Sequence, residues 1–179
     1  MQAEKVINFW FEALSPQQWF TKSDALDGEI KERFTEVLAA AAQGECWQWR
    51  DTARGRLAEI IVLDQFSRNI HRGQATAFAQ DSMALVLAQE AVRQGADRSL
   101  NTTEKAFLYM PYMHSESPLI HQQAMLLFDQ PGLENNYHFE IKHKDIIERF
   151  GRYPHRNEVL GRTSTDEEIE FLKQPGSSF

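Results

Sequence analysis

Apolar residues recur with the period of an α-helix along nearly the whole chain, and that periodicity fixes the class of fold available to it. Leu26, Ile30, Phe34, Val37, Leu38 and Ala41 fall on one stripe of a helix that closes near Gly44. Ser23 or Asp24 is placed to cap its start. Thr52 opens a second helix reaching about Asn69, the HRG at 71–73 makes a turn, and residues 75–94 form a third helix stopped by Gly95. The second and third make an antiparallel pair.

The same punctuation continues downstream. Asn101 with Glu104 is a capping pattern for a helix through FLYMPYM that Pro111 should end or kink. Ser117 and Pro118 begin the next, which should stop at Pro131 and Gly132, and another covers about Glu134 to Phe150. Ser164 with Glu167 caps a last short helix before Pro175. Alternating strand-like runs between turn dipeptides are missing, so the expected class is all-α. Stacked antiparallel helix pairs of about 40 residues each suggest a tetratricopeptide-like superhelix with an open concave face.

With 179 residues and 42% hydrophobic content, the chain suits one all-helical domain over 1–175, followed by a mobile tail at 176–179. Cys46 stands alone, which rules out an intrachain disulfide and a thiolate metal knuckle and fits a reducing cytoplasm. The N-terminal MQAEKVINFWFEAL does not read as a signal peptide, and no run approaches the ~18 apolar residues of a membrane span. The expectation is a soluble cytoplasmic protein without membrane contact. A net charge of −7 argues against broad nucleic-acid binding. The aromatic start (Phe9, Trp10, Phe11, Trp19, Phe20) reads as core before it reads as a dimer patch, so a monomer or weak homodimer is expected.

Base is concentrated locally. Residues 142–162, KHKDIIERFGRYPHRNEVLGR, hold six of the nineteen Lys and Arg against three acids. Arg149, Arg152 and Arg156 alternate with Phe150 and Tyr153, and Pro154 stiffens a corner that carries His155, Arg156 and Asn157. Planar guanidinium forks held on a rigid corner suit a carboxylate or phosphate. Two other strings carry chemistry. In LAEIIVLDQFSRNIHR, Asp64 and Arg68 sit one helical turn apart with Gln65 and Asn69 beside them, in a segment too apolar to bury charge without a partner or a cavity. In EKAFLYMPYMHSES, Tyr109, Tyr112, His114 and Glu116 surround the proline break. The six histidines show no HExxH or HxH spacing, and phosphate-loop, dinucleotide and nucleophile-elbow motifs are missing, so no metal or cofactor is implied.

Three strings, VLDQFSRNIHRGQATAFAQD at 62–81, FLYMPYMHSES at 107–117 and RFGRYPHRNEVLGRTSTDEEIEFL at 149–172, resemble the bacterial family catalogued as domain of unknown function 924, and FWF at 9–11 and WF at 19–20 resemble its opening. The resemblance implies an all-α fold similar to the tetratricopeptide superhelix, and carries no catalytic residue across. Ser67 stands where that family usually has proline after DQF, implying a less kinked helix.

Together these readings lead to an expectation that the three strings converge on one pocket for a small anionic molecule. Asp64, Arg68, Asn69, Tyr109, Glu116, Arg149, Arg152, Arg156 and Asn157 would line it, and His114 and His155 would serve as acid or base. Two alternatives stand beside it: a scaffold binding a peptide or protein partner in a concave groove, and a buried polar network that fixes helix packing.

Overall fold

The computed structural model describes residues 3–179, which are helical with no β-strand among them. In chain order the α-helices are α1 (Ala3–Asn8), α2 (Pro16–Phe20), α3 (Asp24–Ala42), α4 (Ala53–Ile61), α5 (Ser67–Ile70), α6 (Asp81–Arg93), α7 (Thr102–Met113), α8 (Pro118–Phe128), α9 (Glu134–Phe150) and α10 (Asp166–Leu172). Short 3-10 turns join several of them, and two π-helical turns lie at Phe9–Ala13 and Val62–Phe66. No helix among the described residues is long and apolar enough to cross a membrane.

The chain divides into two compact units. Unit 1 comprises Met1–Arg72 with Thr76–Pro111, and unit 2 comprises Gly73–Ala75 with Tyr112–Phe179. In unit 1, α4 packs against α1 and α6, and α3 packs against the π-turn and α5. The aromatic start supplies part of this core. Phe9 and Trp10 are buried, Phe9 lies 5.0 Å from Phe34 with the rings tilted by 50°, and Phe34 lies 4.6 Å from Phe66. Phe20 stays exposed. In unit 2, α8 pairs with α9, and Ile146, Ile147 and Tyr153 form a core over which Phe150 and Phe171 pack.

The expected caps are largely found. Ser23 accepts from Leu26 N–H, Thr52 accepts from Gly55 N–H, and Asn101 and Glu104 exchange a reciprocal pair of bonds. α9 ends at Gly151, whose φ of 71° is the left-handed conformation that glycine adopts without cost. Several boundaries differ from expectation, α8 stopping at Phe128 and α10 at Leu172 among them. The third helix starts at Asp81, after a 3-10 turn at Ala75–Phe78. α7 runs through Pro111 to Met113, because so close to the helix end the ring removes only one backbone bond. The last helix is capped one residue later than expected, by Thr165 with Glu168.

Candidate functional site

Within unit 1 the first polar string is tied down by hydrogen bonds and ion pairs. The helix from Ala53 to Ile70 carries the π-turn Val62–Phe66 in its middle, so Asp64 sits on a widened stretch of backbone. Asp64 is buried, and its carboxylate accepts from Arg68 at 3.1 Å and from Gln65 at 2.6 Å. Arg68 in turn grips Asp81 through both terminal nitrogens, at 2.8 and 2.9 Å. Asn69 donates to Asp27, which Arg72 also holds at 2.9 Å. Burial alone would raise the Asp27 carboxyl, but the bonds from Arg72 and Asn69 outweigh it and hold it below its ordinary range. Tyr109 donates to Asp97 at 2.7 Å. Within unit 1, these four predicted residues take part in bonds that reach Asp81, Asp27 and Asp97.

Sequence inspection passed over one further buried pair there. Glu59, fully buried, accepts a two-pronged bond from Arg50 at 2.6 and 2.7 Å. Cys46 is buried nearby, and burial followed by the Glu59 charge pushes its thiol up, away from thiolate chemistry.

Unit 2 brings the second and third strings together. Glu116 accepts from Tyr153 N–H at 2.8 Å and from both terminal nitrogens of Arg162, at 2.7 and 2.9 Å. Burial would raise its carboxyl, but these donors hold it below the usual value. Arg152 is committed to Glu168 through a bidentate pair at 2.7 and 2.8 Å and also donates to Thr163 O. The Arg152 bond is the main reason Glu168 falls to about 2. Asn157 donates to Ser164 and Glu168 and accepts from Arg162. Arg149 pairs with Glu167 at the exposed surface. Arg156, by contrast, is buried, lies 4.6 Å over the Tyr153 ring and donates to His114 O at 3.1 Å.

Tyr153 is the hub of this arrangement. Fully buried, it donates its hydroxyl to Met113 O at 2.5 Å, while the rings of His121, His143 and His155 lie 6.3, 5.7 and 5.6 Å from its own. His121 and Glu140 are the residues the sequence reading missed. Both are fully buried, with Nδ1 of His121 2.6 Å from Oε1 of Glu140 and Nε2 2.7 Å from Ser115 O. A carbonyl only accepts, so Nε2 carries a hydrogen. Burial pushes Glu140 above the ordinary carboxylate range, and its Oε2 finds no partner among the described residues. His143 donates from Nδ1 to Phe139 O, and burial drops it to about 3, leaving a neutral ring.

A signal for the missed pair was present. His121 shares the buried face of α8 with Ala124 and Phe128, and Glu140 and His143 share that of α9 with Ile146 and Ile147. Polar residues at apolar phase positions are costly unless satisfied by one another.

Two open grooves, of about 730 and 400 Å³, lie in unit 1. Lys5, Phe9, Arg33 and Phe34 help line the first, and Phe11, Trp19 and Asn101 the second, so neither is built from the predicted site residues. Among the described residues no three His, Cys, Asp or Glu side chains are grouped to hold a metal ion.

Among curated proteins, none matches this chain. A solved structure of a protein of unknown function, ATU0120 from Agrobacterium tumefaciens, is similar over 96% of this chain and 96% of that one, with a TM-score of 0.91 and 38% sequence identity. The model of a bacterial protein family of unknown function matches residues 6–176, and with nearly the full length covered the chain belongs to that family, DUF924.

Proposed function

We propose that unit 2 binds a small anion, a carboxylate or a phosphate, at the corner formed by His114, His155 and Arg156. One observation supports this reading above the others. Around the buried Tyr153 ring stand one guanidinium and three imidazoles, while the nearby acids are already engaged, Glu116 by Arg162 and Glu140 by His121. Arg156 brings a fixed positive charge to this cluster, and an anion is its electrostatic complement. Arg152 serves the site indirectly, since it fixes Glu168 and, through it, Asn157. His114 and His155 are partly exposed, so they are the groups able to exchange a proton with a bound ligand in acid–base chemistry.

Thermal-shift titration with inorganic phosphate and with benzoate tests the reading, because a ligand bound only by the folded chain raises its melting temperature. The expected result is a rise in the wild type that His155→Gln and Arg156→Lys weaken and that Arg149→Ala, altering a surface side chain that pairs with Glu167 and packs on Phe150 and Phe171, leaves intact. No rise with either anion, or an equal rise in all four proteins, rejects it.

A second reading, peptide binding, is supported by Leu119 and Leu126, which stand two turns apart on α8 and are 63% and 79% exposed. Short acidic peptides that bind the wild type but not Leu126→Lys, with His155→Gln unaffected, would favour it.

A further inference from the structure

We propose that residues 175–179 are an internal strap whose Phe179 ring occupies the face of His143 on which the ring of a planar aromatic carboxylate would stack. This rests on the anion-binding reading above and gives that site both a ligand shape and a means of control. The argument begins with the path of the chain. α10 ends at Leu172, and Gly176, at φ 78°, turns the backbone through a conformation open to glycine. Ser177 is then buried and donates its hydroxyl to Leu172 O at 3.1 Å. Beyond that tether, the Phe179 ring lies 3.7 Å from the His143 ring at an interplanar angle of 23°, and edge-on to His155 at 6.2 Å.

The contact is one-sided. His143 is 6% exposed with the ring in place, whereas Phe179, the residue that covers it, is itself 51% exposed. A ring held by one stacked and one edge-on contact, beyond a single side-chain hydrogen bond, is weakly fixed and displaceable. What it covers is a flat, neutral imidazole next to His155 and Tyr153, and Tyr153 in turn stacks with Arg156. A benzoate-like molecule placed there would put a ring where Phe179 has one and a carboxylate where the phenyl side chain offers nothing to His155. The chain therefore competes with its own ligand, and the ligand is an aromatic acid in preference to a compact inorganic anion.

The test uses the full chain with Phe179→Ala and Phe179→Tyr. Diethyl pyrocarbonate modification of individual histidines, read by peptide mass spectrometry, reports how well His143 is covered, with the exposed His138 on the same helix as reference. The expected result is a several-fold faster modification of His143 in Phe179→Ala, restored in Phe179→Tyr, with His138 and the melting temperature unchanged. Benzoate should bind Phe179→Ala several-fold more tightly than wild type, while inorganic phosphate, which has no ring, binds both alike. An unchanged His143 rate overturns the strap whatever binds. Faster His143 modification without tighter benzoate binding overturns the competition. Loss of the phosphate response in every protein defeats the underlying anion reading separately.

Discussion

His121 and Glu140 share one proton at the centre of unit 2. Nε2 of His121 is fixed as a donor by Ser115 O, so the 2.6 Å contact between Nδ1 and Oε1 of Glu140 holds a single hydrogen, written either as imidazolium with carboxylate or as imidazole with carboxylic acid. Burial raises Glu140 above the ordinary carboxylate range. Glu140→Gln is therefore expected to stay within about 1 kcal/mol of wild type in urea unfolding, because an amide still donates to Nδ1. His121→Ala is expected to cost about 3 kcal/mol or more, since it strands a fully buried carboxyl and opens a cavity. Equal losses in the two variants would refute the shared-proton arrangement.

Acid should destabilise the protein through His143. Its folded value of about 3 lies below the unfolded 6.5, so between those limits the unfolded chain binds more protons. The stability contributed is full above pH 6.5 and is lost as pH falls towards 3, by about 1.4 kcal/mol per unit. Glu168, held at about 2, loses its contribution in the same direction but only below about 4.5. Glu140 works oppositely: its raised value stabilises the fold at low pH, and that contribution is lost as pH rises through its folded value. Comparing urea unfolding of wild type with His143→Phe isolates one group. The variant should show a shallower loss between pH 6.5 and 4.5, and parallel curves would contradict the assignment.

Glu168 and Glu167 are adjacent acids with unequal duties. Glu168 accepts from Arg152, Asn157 and the Thr165 N–H, whereas Glu167 meets Arg149 across an exposed pair. Glu168→Ala should therefore cost about 2 kcal/mol, and Glu167→Ala under about 1 kcal/mol. Chemical denaturation of both variants checks the ranking.

Two glycines make a contrasting pair. A Cβ on Gly55 would lie 1.9 Å from Trp49 O, a backbone atom, so Gly55→Ala should cost about 3 kcal/mol or more, or shift the turn at Trp47–Asp51. Gly28 is exposed inside α3 with nothing within 4 Å of the added carbon, and Gly28→Ala should stabilise by about 1 kcal/mol through helix propensity. Melting temperatures that move in opposite directions would bear out both.

Fold class and most helix starts from Asp24 onward were legible because the punctuation is local, whereas α1, α2 and the π-turn that divides the helix over residues 53–70 were not. Ser23, Thr52, Asn101 and Gly151 act within a turn of their own position. The cap of α10 shows where local information ends. STDEE offers two overlapping patterns, Ser164 with Glu167 and Thr165 with Glu168. Arg152 and Asn157 select the second by gripping Glu168 from elsewhere in the fold. The candidate site was legible in part. The HSES and YPHRN segments do meet in unit 2, through Glu116, Arg162 and the Tyr153 backbone. Asp64 meets Arg68 one turn on, as their spacing predicts, while Arg68, Asn69 and Tyr109 also take partners that no spacing rule specifies, namely Asp81, Asp27 and Asp97.

The π-turn at Val62–Phe66 means that residues 53–70 behave as two screws cut on one rod. Residues before it present Leu57, Ile60 and Ile61 to the interior, and residues after it carry Arg68 and Asn69 towards Asp81 and Asp27. A relative lacking one residue in this stretch would restore an uninterrupted thread and carry both polar side chains round the axis by about 100°. Single-residue length variation here would therefore act as a rotation of the downstream helix, with the loops at either end unchanged.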